Sequence, residues 1–171
     1  MKSILVFTVG LALLICSGCG ESNSTGENLP SGEATGQQFL VDAEPANAIP
    51  VGAARTAASD GDRIALVGHI GGSAKPFVDG LAAFTIVDPK VNYCPPEEGC
   101  PTPWDYCCTQ DEVKINIATV KVVDPSGQVI AQDAKQLLGV KELSLVVAEG
   151  IAKRDEQGNL SLLAKSIFVK N

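Results

Sequence analysis

Between residues 63 and 169 the chain carries five short runs in which apolar positions alternate with polar or small ones, the period-two pattern of half-buried strands. The first is Arg63–Gly72, where Ile64, Leu66, Gly68 and Ile70 fall on one face. The second is Leu81–Asp88, the third and longest Val113–Val123, the fourth Glu142–Lys153 and the fifth Leu160–Val169. Turn chemistry separates them: Ser59-Asp60-Gly61-Asp62 before the first, Asp124-Pro125-Ser126-Gly127 after the third, Asp155-Glu156-Gln157-Gly158-Asn159 before the last, all rich in residues that tolerate turn conformations. Gly68 inside the first run predicts a bulge or sharp bend, and Gly150 lies inside the fourth. Ala48–Ala58 holds helix formers with Pro50 where a first turn accepts it. Ala131–Leu138 is a short amphipathic segment closed by Gly139. Five strands with glycine bends and one or two short helices predict an all-β fold, a small five-stranded antiparallel barrel whose closure removes the sheet edges.

One stretch breaks the pattern. Tyr93–Cys108 contains four of the six cysteines, the only Trp, both Tyr and four of the ten Pro. Pro lacks an amide donor and fixes φ, so this is neither strand nor helix. Long structureless loops in compact domains are functional or disordered, and aromatics and cysteines are what disordered segments lack. The cysteine-rich loop, residues 89–111, is therefore expected to be ordered by its own cross-links and by stacking of Tyr93, Trp104 and Tyr106.

The composition changes sharply at the other end of the chain. Met1-Lys2-Ser3 is a short basic start, and Ile4–Cys16 is an apolar run too short for a span of about 20 residues; it reads as a signal-peptide core. Cys16-Ser17-Gly18-Cys19 resembles a bacterial lipobox, with Cys16 where Leu is usual. Residues 1–18 are thus expected to be a lipoprotein signal peptide and Cys19 the lipidated residue. The alternative is a plain secretory signal cut nearby. Residues 19–47 have acidic residues, Gly, Ser, Asn and Pro, and neither Lys nor Arg. Such a composition buries too little apolar surface to fold, so it is expected to be a flexible tether, with the barrel domain at 48–171. The implied address is the cell envelope, on a bacterial membrane and facing the periplasm or exterior, with the lipid on Cys19 as the membrane contact.

Charge and composition narrow the function. A formal net charge of −7 and the lack of a clustered basic stripe argue against nucleic acid, whose phosphates call for Lys and Arg. With only 5 % aromatic residues, the core must be built from Val, Ile, Leu and Ala.

The opening Asp60–Ile70 and the closing pair Val146–Arg154 and Gly158–Ile167 resemble an OB-fold over residues 48–171. Pro76-Phe77-Val78-Asp79-Gly80 and the box Cys100-Pro101-Thr102-Pro103-Trp104-Asp105-Tyr106-Cys107-Cys108 are similar to a group of planctomycete lipoproteins that brings no function with it. The OB resemblance implies a binding face for oligonucleotides or oligosaccharides, but the aromatics available to stack on bases are in the cysteine loop.

Removing Cys16 with the signal and blocking Cys19 leaves Cys94, Cys100, Cys107 and Cys108, an even set in an oxidising compartment. Two structural disulfides, each worth about 2–4 kcal/mol, would pair Cys94 and Cys100 each with one of the vicinal pair, avoiding a tight Cys107–Cys108 ring. Alternatively the four thiolates hold Zn²⁺ or Cu(I), with His69 joining only through tertiary proximity. A redox-active disulfide is the third option, though no Cys-x-x-Cys is present. His69 has no Ser or Cys at a recognisable spacing, Glu97-Glu98 reads as a solvated loop tip, and Asp88, Asp105 and Asp111 read as turn caps. No P-loop, G-x-G-x-x-G, H-E-x-x-H or G-x-S-x-G occurs. Neither an enzyme nor a cofactor is expected. The sequence points to an envelope binding module of unassigned ligand, with Tyr93, Trp104 and Tyr106 as contacts for an envelope protein or glycan. Its alternative is a Zn- or Cu-binding protein using the four cysteines.

Overall fold

The computed structural model describes residues 35–170. The expected signal peptide, the expected lipidated Cys19 and the first part of the expected tether lie outside the described residues. In chain order the elements are β1 (Ile49–Pro50), α1 (Val51–Ala57), β2 (Arg63–Ile70), β3 (Ala83–Val87), α2 (Gln110–Ile115), β4 (Ile117–Val122), α3 (Ala134–Leu138), β5 (Leu145–Arg154) and β6 (Leu160–Lys170). Three 3₁₀ turns occupy Gly36–Gln38, Pro96–Glu98 and Pro103–Asp105.

The five long strands form a closed all-β barrel in the order β2-β3-β4-β6-β5, with β5 returning to β2. The closing seam pairs Arg63–His69 with Leu145–Ile151 antiparallel. The ring is mixed, not wholly antiparallel: β4 and β6 run parallel over Thr119–Val122 and Ser161–Ala164. The reason is arithmetic, since an odd number of strands cannot alternate in direction around a closed ring. One like-directed pair is required, and it falls where the β5–β6 hairpin meets β4.

Of the bulge or bend expected at Gly68, the register shift of a bulge is at Gly150 instead. The β5–β6 register shifts between Glu149 and Gly150, and a Cβ at position 150 would lie 2.0 Å from the carbonyl oxygen of Leu163. Gly68 serves close approach rather than a register shift: β2 leaves β5 for β3 near His69–Ile70, and a Cβ at 68 would meet the Val87 carbonyl at 2.9 Å.

The barrel interior is Leu66, Ile70, Phe84, Ile86, Val120, Val122, Val146, Ala148, Leu162 and Ile167, aliphatic apart from Phe84. Two sequence expectations need correction. The folded domain does not begin at residue 48. Phe39 is buried against the core that also contains Leu137 and Leu138, and its carbonyl accepts the Ile167 amide while the Val41 amide donates to the Ile167 carbonyl. This short stretch lies along β6 beyond the four residues that β4 covers, so backbone pairing and one aromatic anchor a segment whose average composition is polar. The third strand does not begin at Val113 either. Gln110–Ile115 is helical, because Val113 turns into a small cluster with Val87, Val91 and Tyr106, while Ile115, which a strand would bury, is 67 % exposed.

Helix α1 is held at both ends by opposite charges. At its start, buried Asp88 (2 % exposed) accepts the Gly52 amide at 2.7 Å and the Lys90 amide at 3.0 Å. At its end, the Arg154 guanidinium donates to the carbonyls of Ala54, Arg55 and Ala58. Both placements suit the helix dipole and its unpaired terminal groups. Asp88→Ala strands two amides in a buried setting and is expected to cost about 2–3 kcal/mol in urea unfolding. Asp111→Ala, which removes an exposed pair with Lys114, should leave the unfolding midpoint unchanged.

Candidate functional site

The cysteine loop leaves the barrel at Asp88 and rejoins it at Asn116, where the Asp88 amide donates to the Asn116 carbonyl at 2.9 Å. It carries its own small core of Val87, Val91, Tyr106 and Val113, with Ile117 packed against it. Tyr106 ends the Pro103–Asp105 turn in the left-handed region, φ 58°, and its side chain is completely buried. Gly71 makes room for it: a Cβ there would meet the Trp104 carbonyl oxygen at 2.6 Å and the Tyr106 ring at 2.9 Å. The Gly72 amide donates to that same carbonyl at 2.8 Å, and the Trp104 indole N–H donates to the Ala74 carbonyl at 3.2 Å.

The reversal at Tyr106 presents Cys107 and Cys108 outward. Asp105 steadies them, its carboxylate accepting the Cys107 amide at 2.8 Å and the Thr102 hydroxyl at 2.6 Å. From the other limb, the Cys94 amide donates to the Pro103 carbonyl at 3.3 Å, and the Thr109 hydroxyl reaches the Asn92 carbonyl at 3.0 Å.

The four sulfurs converge. Cys107 Sγ lies 3.1 Å from both Cys94 Sγ and Cys100 Sγ. Cys94 to Cys108 is 3.6 Å and Cys107 to Cys108 is 3.7 Å. All four lie within 4.8 Å of one another. No two of the four sulfurs lie at disulfide distance, and Cys107 is equally close to Cys94 and Cys100. At a Zn–S length near 2.3 Å, tetrahedral thiolates sit about 3.8 Å apart, and the observed separations bracket that value. The spacing Cys94-x5-Cys100-x6-Cys107-Cys108, which matches no zinc-ribbon signature, still brings four donors around one point.

Ionisation within the cluster is uneven. Burial of Cys94 opposes its ionisation, but hydrogen bonding to Cys107, to the Cys108 amide and to Cys100 and Cys108 brings it down to about 7. Hydrogen bonding to Cys94 and to Cys107 pushes Cys108 up to about 11. Cys100 is pushed up further, chiefly by hydrogen bonding to Cys107 and Cys94. Cys94 therefore ionises before Cys108 and Cys100, and a bound cation would offset the repulsion that holds those two protonated.

Several expected site residues lie elsewhere. His69 is not among the clustered ligands. Its ring meets Tyr93 edge-on at 6.0 Å, its Nδ1 is buried with no hydrogen-bond partner, and burial lowers its pKa, favouring the neutral ring. Of the three aromatics expected to contact a partner, Tyr106 is core and cannot do so, Trp104 is half-buried against the Ala74 carbonyl, and Tyr93 is 42 % exposed. Glu97 and Glu98 are exposed on the loop tip. Asp88 and Asp105 serve backbone amides, and Asp111 pairs with Lys114. Sequence reasoning missed the need for Gly71, since a Gly-Gly pair signals a bend and not which ring will pack on it. A separate cavity of 440 Å³ beside Phe77, bounded by Lys75, Asp133, Lys135 and Glu142, contains no cysteine.

No family model and no curated protein matches the chain.

The Tyr106 hydroxyl is buried without a partner. Tyr106→Phe removes that unpaired group and should leave stability unchanged or raise it by up to about 1 kcal/mol, whereas Tyr106→Ala should cost about 3–5 kcal/mol. Urea denaturation distinguishes the two, and a large loss with Phe would mean that the hydroxyl has a partner. For the reduced, metal-free protein, Cys94 should ionise near pH 7 and Cys108 only near pH 11, read as thiolate absorbance lost on Cys94→Ser and on Cys108→Ser. Ionisation of Cys94 and Cys108 at the same pH would contradict this order.

Proposed function

We propose that the protein binds one soft or borderline metal ion, Zn²⁺ or Cu(I), through Cys94, Cys100, Cys107 and Cys108, on an OB-like barrel anchored to a bacterial envelope membrane by a lipid on Cys19. The observation that carries this reading is the convergence of four unpaired sulfurs within 4.8 Å of one another. Thiolate-only sets select such ions over hard cations, which prefer oxygen.

Supporting the OB-like assignment are the strand order β2-β3-β4-β6-β5 closing on β2 and the placement of α3 between the third and fourth barrel strands. The fold alone names no ligand. Phe84 of β3 is inside the barrel, so the outer faces of β3 and β4 lack an aromatic platform for bases. The envelope address rests on Met1–Cys19. The role is non-catalytic, with a neutral imidazole at His69 and carboxylates engaged in backbone and surface pairing. An interaction with an envelope protein or glycan remains a second role for the loop, favoured at Tyr93 by its exposure.

Native mass spectrometry of the full chain exported to a periplasm, with thiol counting under denaturing conditions, tests the reading. One metal ion per chain and four countable thiols in the loop are expected, and Cys94→Ser should abolish stoichiometric binding. Two loop disulfides in the exported protein, together with no zinc or copper uptake after reduction, would overturn it.

A further inference from the structure

We infer that the ion in the four-cysteine loop is exchangeable cargo, passed to or from an acceptor that offers thiolate donors, with Cys107 and Cys108 as the exchange face. This rests on the metal-binding reading above and assigns a use to it.

Two independent features of the loop lead here. The first is a gradient of exposure across the four ligands. Cys94 is 1 % exposed and lies at the floor, Cys100 is half-buried, and Cys107 and Cys108 are exposed. Structural zinc sites are closed; here an incoming sulfur can approach from the side of the vicinal pair. Pro95, Gly99 and Pro101, the neighbours of the other two cysteines, are exposed as well.

The second is that the loop is held by bonds in which no sulfur takes part. The Tyr106 ring is seated at Gly71, and the Trp104 carbonyl and indole are tied to Gly72 and Ala74. Asp105 binds Thr102 and the Cys107 amide, Thr109 binds the Asn92 carbonyl, and the Asp88–Asn116 bond closes the base. Small metal domains that rely on their ion to fold lose their structure without it. This loop has a hydrophobic cluster and a hydrogen-bonded frame of its own, so the empty site keeps its donors in place for the next ion.

Exchange proceeds by substitution at the metal. An acceptor thiolate donates its electron pair to the ion as the bond to the Cys107 sulfur breaks; the released Cys107 thiolate retains its pair and takes a proton from water. Cys108 follows in the same way, then Cys100 and finally Cys94 at the floor. The oxidation state of the metal does not change, and no further reactant is required.

The full chain loaded with Zn²⁺ is mixed with glutathione and a metallochromic zinc indicator, and the transfer rate is followed as glutathione is varied. Doubling the glutathione concentration should double the rate. The metal-free chain should retain amide-exchange protection at Gly72 and Cys107 equal to that of the loaded chain. A transfer rate independent of glutathione concentration would mean release from a closed site and would overturn the inference, as would loss of protection at Gly72 and Cys107 on metal removal. Either result leaves metal binding intact. Failure to load Zn²⁺ or Cu(I) at all overturns the metal-binding reading itself, and this inference with it.

Discussion

Closure of the sheet through the β2–β5 seam is the constraint on which the remaining structure depends. Seven consecutive residues of β2, Arg63–His69, pair with β5, and once that seam exists five strands must share a ring. An odd ring requires one parallel neighbour pair, which sets β6 alongside β4 and makes the chain cross by way of α3 before it can return as β5. The seam also demands strong local curvature. The register shift beside Gly150 supplies it, at a position where a side chain would strike the Leu163 carbonyl.

The cysteine loop depends on the barrel in a different way. It is an excursion between two adjacent barrel strands, β3 and β4, pinned at its base by Asp88 and Asn116 and against the end of β2 by Gly71 and Gly72. Asp88 does double duty, since its backbone closes the loop and its carboxylate starts α1. The small cluster around Tyr106 therefore connects the loop to the same β3 backbone that lines the main core. Packing, rather than sulfur chemistry, sets the position of the two limbs, and the sulfurs converge because Cys94 and Cys100 lie on one limb while Tyr106 turns Cys107 and Cys108 toward them. Four thiols so placed converge within 4.8 Å of one another.

Four of the five barrel strands were legible from alternation and turn residues: Arg63–Ile70, Ala83–Val87, Leu145–Arg154 and Leu160–Lys170 lie where the pattern puts them. Gly139 ends α3 in the left-handed region, φ 66°, as a helix-closing glycine should. The start of β4 was not legible, because Val113, Ile115 and Ile117 keep strand spacing while the cluster around Tyr106 draws only Val113 inward. Phe39 was hidden for a related reason: one buried ring and two backbone hydrogen bonds outweigh a polar average, and neither can be seen in composition.

By itself, the sequence determined the all-β class, a core that is mainly aliphatic, and the cysteine-rich loop with its four cysteines. These follow from local periodicity, turn chemistry and residue type, which act over a few neighbouring positions. Only the tertiary structure decided that Tyr106 is core, that His69 lies apart from the cysteines, and that the four sulfurs gather within 4.8 Å of one another. Each of those outcomes depends on distances between residues remote in the chain, and sequence spacing places no limit on such distances until the barrel has closed and Gly71 has admitted the Tyr106 ring.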